Sequence, residues 1–360
     1  MSCFIDRNNR YFANPNSAHS LGREAKECLE GITEHMAELL GVKASEIIYT
    51  SGASEANNLA VKGLVEAYRH NGKHIISTCL EHPSVSGALT YLQSLGYEID
   101  LVDITKDGLV DLEHLKELMR RDTVLVTVCG VDSELGVIQP VGEISKIVRA
   151  YPNCYFHTDA TQAFGKIPVS CEPADCMTFT PHKFFGLNGC GVLIKKENVV
   201  LSPLIHGGAS TTIYRSGTPA LGLAASIDKA LELALSHLEE RYRQVKEMNG
   251  FLGNTLLKYK KVRINSTDYS VPHILNLSVQ GVKGETFREA LEQEGICVSV
   301  KSACSAPGSP SRPVYAVSKD KKNAMCSWRI SLSHLTTKEE LDYFLEAFDQ
   351  CYHKLTDTIG

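Results

Sequence analysis

Five places in the chain carry side chains whose type and setting could do chemistry. Lys183 follows His182 after the apolar run Cys176-Met177-Thr178-Phe179, in a loop that continues through Gly186, Gly189 and Gly191. A lysine held against a packed core loses solvation, which lowers its pKa and frees the amine to attack a carbonyl. Asp159 ends a second apolar run, residues 154–158, and stands 24 residues before Lys183. A carboxylate there could keep the ring nitrogen of a pyridine-type cofactor protonated, so that the ring acts as an electron sink. Ser51-Gly52-Ala53-Ser54 joins a strand-like run to a helical one; hydroxyls and backbone N–H groups at a helix start suit a phosphate. Cys304 lies in a small, polar, Pro- and Gly-rich stretch, three residues after Lys301. A nearby cation favours the thiolate. Arg329 sits amid apolar neighbours in Trp328-Arg329-Ile330-Ser331, and its planar fork fits a carboxylate, of a substrate or of the protein itself.

Taken singly, each has a plainer reading. Most lysines are solvated. An aspartate at a strand end often caps a turn, and so does a short Ser/Gly segment. Loop cysteines are often inert. What joins the five is where the surrounding pattern puts them.

Helical spacing over residues 22–40 is followed by a strand-like run at 47–50. Strand-like runs at 74–79, 98–102, 123–129, 154–158, 176–179 and 191–195 then alternate with helical patterns at 85–95, 112–119 and 141–149. Continuously apolar strands alternating with helices predict an α/β domain with a mostly parallel seven-stranded sheet between helices. Such sheets carry their sites at the carboxyl ends of the strands. One long helical pattern spans 221–257. Beyond it, strands at 261–264, 273–279, 296–300 and 328–331 and helices at 285–294 and 338–354 predict a smaller C-terminal α+β domain. The expected division is 14–245 and 246–360, with residues 1–13 a short segment packing on the small domain.

Composition narrows the class. With 37 basic and 42 acidic residues the net charge is −5, and no basic block marks a nucleic-acid surface. The twelve cysteines are scattered without a Cys-x-x-Cys pair, so no metal site is expected, and most read as small buried hydrophobes in a reducing compartment. No apolar run approaches the ~20 residues that span a bilayer, and the first residues lack a signal-like stretch. The expectation is a cytoplasmic protein.

Nine ordered motifs resemble one family. They are Asn14-Pro15-Asn16-Ser17-Ala18-His19, Ser51 through Asn58, Glu81-His82, Glu134-Leu135-Gly136, His157 through Gln162, His182-Lys183, Arg215-Ser216-Gly217-Thr218, Ser302-Ala303-Cys304 and Arg329-Ile330-Ser331. Over about residues 14 to 350 the chain resembles the cysteine desulfurases of the nitrogen-fixation and iron–sulfur-assembly type, in the class V aminotransferase branch of fold-type I pyridoxal 5'-phosphate (PLP) enzymes. The resemblance implies a PLP-dependent enzyme that converts L-cysteine to L-alanine and leaves a persulfide on Cys304. In that frame Lys183 would hold the cofactor covalently and His82 would stack on its ring. Asp159 would pair with the ring nitrogen, and Gln162 and Asp132 would lie by the ring oxygen. Ala53, Ser54, Thr180 and His182 would hold the phosphate. Thr218 would reach the phosphate of a neighbouring subunit, which implies a homodimer. Arg329 and Asn14 would take the substrate carboxylate. The partner would be a sulfur-acceptor protein, such as an iron–sulfur scaffold or a tRNA-thiolation protein.

Some positions depart from the family. The Ala-Ala/Thr-Thr segment usual before the Asn-Pro motif is absent. Asp132-Ser133-Glu134 stands where Asn-Asn-Glu is usual, and Asp132 would place a carboxylate against the phenolate oxygen. Ala209-Ser210-Thr211-Thr212 follows Gly207-Gly208, and Lys301 replaces a glycine. Two other readings therefore stand beside the first. One is a related PLP-dependent lyase or aminotransferase on another small amino acid. The other is a catalytically impaired homologue acting as scaffold or sulfur relay.

Overall fold

The structure is a computed structural model that describes residues 1–301 and 308–357. Cys304 lies outside the described residues.

After two helices, α1 (Ser2–Arg10) and α2 (Ser20–Leu40), the chain runs β1 (Ile47–Thr50), α3 (Ala53–Ala67), β2 (His74–Ser77), α4 (Pro83–Ser94), β3 (Glu98–Leu101), α5 (Leu112–Leu118), β4 (Thr123–Thr127), α6 (Val141–Arg149), β5 (Tyr155–Asp159), β6 (Cys176–Phe179) and β7 (Gly191–Lys195). These strands form one sheet in the order β1-β7-β6-β5-β4-β2-β3. β2, β3, β4, β5 and β6 pair in parallel, while β7 runs antiparallel to both its neighbours, β6 and β1. Alternation along the strands feeds two cores. Ile48, Ile75 and Leu193 pack under α3 and α4. Ile47, Ile76 and Ile194 pack on the opposite face, with α2, α5 and α6. A sheet covered on both faces accounts for strands that read as unbroken apolar runs.

A second unit follows α7 (Leu221–Ser236) and α8 (Leu238–Leu256). It contains β8 (Val262–Ile264), β9 (Ile274–Val279), α9 (Gly284–Gln293), α10 (Arg312–Ser318), α11 (Lys321–Cys326), β10 (Ser327–Ser331) and α12 (Lys338–Thr356). Its three strands are antiparallel in the order β10-β9-β8. Trp328, Phe287 and Phe348 form its aromatic centre, with Trp328 and Phe287 stacked at 5.0 Å.

Three expectations are corrected. The helical pattern over 221–257 is two helices, broken at His237 (φ −121°, ψ 18°). No glycine or proline marks the break; it arises because Leu231 and Ala234 pack in the first core while Val245, Leu252 and Leu256 pack in the second. The division expected at 245/246 lies inside α8; we propose His237, where the two helices part, as an alternative. Residues 296–300 are not a strand; only Ser299 bridges to Arg329. The N-terminal segment does not sit on the small domain. α1 packs on α2 and α7 through Cys3, Ala25, Leu29 and Ala224, and a Cβ on Gly222 of α7 would come within 2.3 Å of Asn8. The polar run Asp6-Arg7-Asn8-Asn9-Arg10 hides this seat, because the flatness of α7 rather than an apolar stripe on α1 makes the contact.

Gly165 lies in a turn after β5 with φ +72°, and a Cβ there would fall 2.5 Å from the Cβ of Phe184. Gly165→Ala should therefore destabilise the fold by about 1–3 kcal/mol, seen as a lower denaturation midpoint. Gly142→Ala, in α6 with open space at its Cα, should be neutral or stabilising.

Candidate active site

The carboxyl ends of the parallel strands converge on one edge of the sheet. β1 ends at Thr50 and feeds Ser51-Gly52 into α3. β2 leads to Glu81-His82 at the start of α4, where the His82 ring nitrogen caps Ser84 N at 3.2 Å. β5 ends on Asp159. β6 leads through Thr180 into the single turn Pro181–Phe184, which carries His182 and Lys183. Thr180 Oγ1 donates to the carbonyl of Cys190 at 2.8 Å, which ties this turn to the start of β7. There the backbones close tightly: a Cβ on Gly191 would fall 2.6 Å from the carbonyl carbon of Gly52. Only glycine lets β7 approach the head of α3 this closely.

A cavity of about 500 Å³ opens at this edge. Its wall includes Ala53, Ser54, His82, Asp159, Gln162, Thr180, His182, Lys183 and Arg329, so the structure brings nine of the sequence-derived candidates together. Asp159 is buried and held on both oxygens: Oδ2 accepts from Asn57 Nδ2 at 2.7 Å, and Oδ1 from the backbone N–H of Thr161 at 3.0 Å. Asn57 Nδ2 also reaches Ser84 Oγ at 2.9 Å. Arg329 comes from β10 and donates through Nη1 to the carbonyl of Ser133.

The field in the cavity shifts the Lys183 amine toward its neutral form. Lys183 stands open to the cavity, yet the surrounding protein and the Arg329 guanidinium push its pKa down, against the opposing pull of Asp159. Burial pushes His82 down, with Lys183 adding to it and Asp159 opposing. His182 is lowered by burial and by Lys183 and Lys166.

Four candidates are not on this wall. Asp132 is buried and turned inward: its Oδ2 accepts the N–H of Glu134 at 3.2 Å and that of Leu135, closing the turn. Ser133 lines the cavity in its place. The carboxylate expected by the cofactor oxygen is therefore not on this wall; a short acidic side chain is drawn to the N–H groups of its own turn. Asn14 Nδ2 donates to Thr218 Oγ1 at 3.3 Å, and both are exposed, away from the cavity that holds Arg329. Cys304 lies outside the described residues, but Lys301, at the base of its segment, is on the cavity wall. Its amine is 3.4 Å from Glu285 and 2.9 Å from the carbonyl of Ser309.

Sequence reading missed the polar groups behind the wall. Asn57 was visible only as part of a motif. Glu81 is buried, accepts from Cys129 N at 2.8 Å and from Thr78 Oγ1 at 2.9 Å, and is pushed up to about 8 by burial. Lys166, four residues after Gln162, carries a signal only in that spacing. His157, within a matching motif, is held between Thr127 and Thr178 and pushed down to about 4 by burial, so it belongs to the core.

The residues present fit PLP. The first turn of α3 has no side-chain cap, which leaves N–H groups at Ala53 and Ser54 for a phosphate. A fixed carboxylate, a flanking imidazole and an amine of lowered pKa complete the donor set. Strand ends, anion cradle and lysine together define a fold-type I PLP enzyme.

The comparisons carry this further. The aminotransferase class-V family model matches residues 4–344. The chain is 38% identical to a NifS/IcsS protein homolog of Lactobacillus delbrueckii subsp. bulgaricus, over 95% of this chain and 91% of that one. It is 36% identical to the cysteine desulfurase IscS of Dictyoglomus turgidum, over 96% and 88%. A solved NifS-like protein superposes with a TM-score of 0.92 at 32% identity, over 98% of this chain and 95% of that one. The chain belongs to the class-V aminotransferase family and, within it, to the cysteine desulfurases of the nitrogen-fixation type.

Burial, and then the charge of Glu134, push Asp132 up to about 7, against about 3.9 in an unfolded chain. Between those values the folded state holds more protons than the unfolded one, so this group costs stability as pH rises, in full above about pH 7. Asp132→Asn keeps an oxygen for the turn and removes the charge. It should melt higher than the parent at pH 8, with the gain shrinking toward pH 5, in paired thermal scans.

Proposed function

We propose that this chain is a PLP-dependent cysteine desulfurase that takes sulfur from L-cysteine, releases L-alanine and keeps the sulfur as a persulfide on Cys304. The observation that carries the reading is the gathering of Lys183, Asp159, His82 and Arg329 around one cavity whose wall also holds Lys301, three residues before Cys304. The balance needs no outside oxidant: the Cβ–S bond of cysteine breaks, an S–S bond forms on Cys304, and the thiol proton ends on alanine.

When bound, PLP supplies an electron sink for charge developing on the substrate. The chain's own groups do the rest. Lys183, whose pKa the surrounding protein and Arg329 lower, is the amine for the aldehyde and can carry a proton. Asp159, fixed by Asn57 and the N–H of Thr161, keeps a proton on the ring nitrogen. The head of α3, with Ser54, Thr180 and His182, takes the phosphate. Arg329 is anchored on the Ser133 carbonyl and keeps further donors for a carboxylate. The impaired-homologue reading rests on the missing N-terminal segment and on a carboxylate facing the cofactor oxygen; with Asp132 turned inward and Ser133 on the wall, the second ground weakens.

A homodimer is part of the proposal. Thr218 and Asn14 lie off their own cavity, and the large apolar side chains of Phe12 and Ile213, a few residues away in sequence, are 77% and 72% exposed. A second copy would cover these and receive Thr218 at its phosphate. No helix among the described residues is long and apolar enough to cross a membrane, and the described cysteines are free thiols; we place the protein in the cytoplasm. Its sulfur acceptor would be an iron–sulfur scaffold or a tRNA-thiolation protein.

Turnover of L-cysteine with a thiol reductant tests this. The parent protein should release alanine and sulfide in equal amounts, and Lys183→Ala and Cys304→Ser should each lose about a hundredfold or more. A parent loaded with PLP that releases no alanine would sink the desulfurase reading. Undiminished sulfide from Cys304→Ser would remove Cys304 as the nucleophile.

A further inference from the structure

A second cavity, of about 360 Å³, adjoins the first on the side toward the small domain and shares Gln162, His182, Lys183 and Arg329 with it. Lys166 lies on its wall, half-buried, and neither the sequence motifs nor the proposed chemistry gives it a task. Its Nζ donates to Gln162 Oε1 at 2.7 Å and to the backbone carbonyl of Gln162 at 3.2 Å. No carboxylate among the described residues forms an ion pair with it. The turn that returns Lys166 to Gln162 depends on Gly165, whose φ of +72° and contact with Phe184 admit no side chain.

We propose that Lys166 is a positioning residue that decides which end of the Gln162 amide faces the cofactor. Donors and acceptors set the orientation. A carbonyl only accepts, so one Lys166 N–H is committed to the Gln162 backbone oxygen. A second N–H then points at the side chain, and only Oε1 can accept it. The protonated amine has no lone pair with which to take an Nε2–H instead. With Oε1 taken, the amide turns its NH₂ group away from Lys166. Gln162 is on the wall of both cavities, so the donor end is the one available to an anionic ring oxygen. Without Lys166 the amide is free to flip and present an oxygen to an oxygen.

The inference rests on the cavity taking PLP. Its test reads cofactor binding and the spectrum of the loaded protein, with no turnover needed. The groups that face Lys166 are Lys183, Arg329, His182 and His273, and all stay unchanged in the variants. Lys166→Met should weaken PLP binding about tenfold, the worth of one hydrogen bond to a charged group. It should also raise the pH midpoint of the visible band, because an oxygen that loses a donor holds its proton more tightly. Lys166→Arg, another pure donor, should restore both. In a Gln162→Leu background, Lys166→Met should add nothing, since the amide it orients is gone. A folded Lys166→Met protein with parental affinity and midpoint overturns the proposal, as do losses that simply multiply in the double variant. If Lys166→Met does not fold, Lys166→Gln, which can accept as well as donate, takes its place with the same expected and overturning outcomes. A parent that takes up no PLP overturns this inference together with the reading beneath it, and that failure shows in the parent alone.

Discussion

In the proposed chemistry Lys183 needs its amine unprotonated in a place that water can still reach. The structure shifts it in that direction by crowding rather than by deep burial. The turn after β6 holds the lysine at the mouth of the cavity, where the surrounding protein and the Arg329 guanidinium both push the amine toward its neutral form. Asp159 pulls the other way, and its carboxylate is committed to Asn57 and to the N–H of Thr161. The balance among these groups depends on three chain segments meeting: β5, β6 and β10. β10 belongs to the second sheet, so the small domain reaches the chemistry through the guanidinium it delivers.

Behind the cavity wall lies a layer of buried polar groups. Asn57, Glu81, Asp132, Glu134 and His157 are all buried. Several are tied to backbone: Glu81 to Cys129 N, Asp132 to the N–H groups of its own turn. Glu134 accepts from Ser311 Oγ at 2.6 Å, just beyond the segment that carries Cys304. Such groups are costly to bury without partners. Here they fix the loops at the strand ends, and those loops carry the site. Lys166 and Gln162 extend the same logic to the side facing the small domain.

Much of the fold was legible because local and global preferences agree. The expected runs at 47–50, 141–149, 176–179 and 191–195 coincide with β1, α6, β6 and β7. The lysine, the aspartate and the Ser/Gly turn each fell at a strand end, and in a parallel sheet strand ends meet. The illegible parts share a cause. The break at His237 follows from two cores pulling one helical pattern in different directions. The seat of α1 is a feature of α7, and the inward turn of Asp132 is set by N–H groups that exist only once its loop has folded.

The sequence by itself determined the kind of chemistry and its candidate residues, because an amine, a carboxylate and an anion-binding helix start are properties of residue types and their immediate neighbours. Tertiary structure decided what surrounds them. Placing β7 antiparallel between β1 and β6 brings the head of α3 to the lysine turn, and β10 sets Arg329 beside Ser133. It also puts Ser133 rather than Asp132 on the wall and Lys166 behind Gln162. Those choices depend on which backbone donors and which faces are left over when the sheet closes, and no local stretch of sequence carries that information.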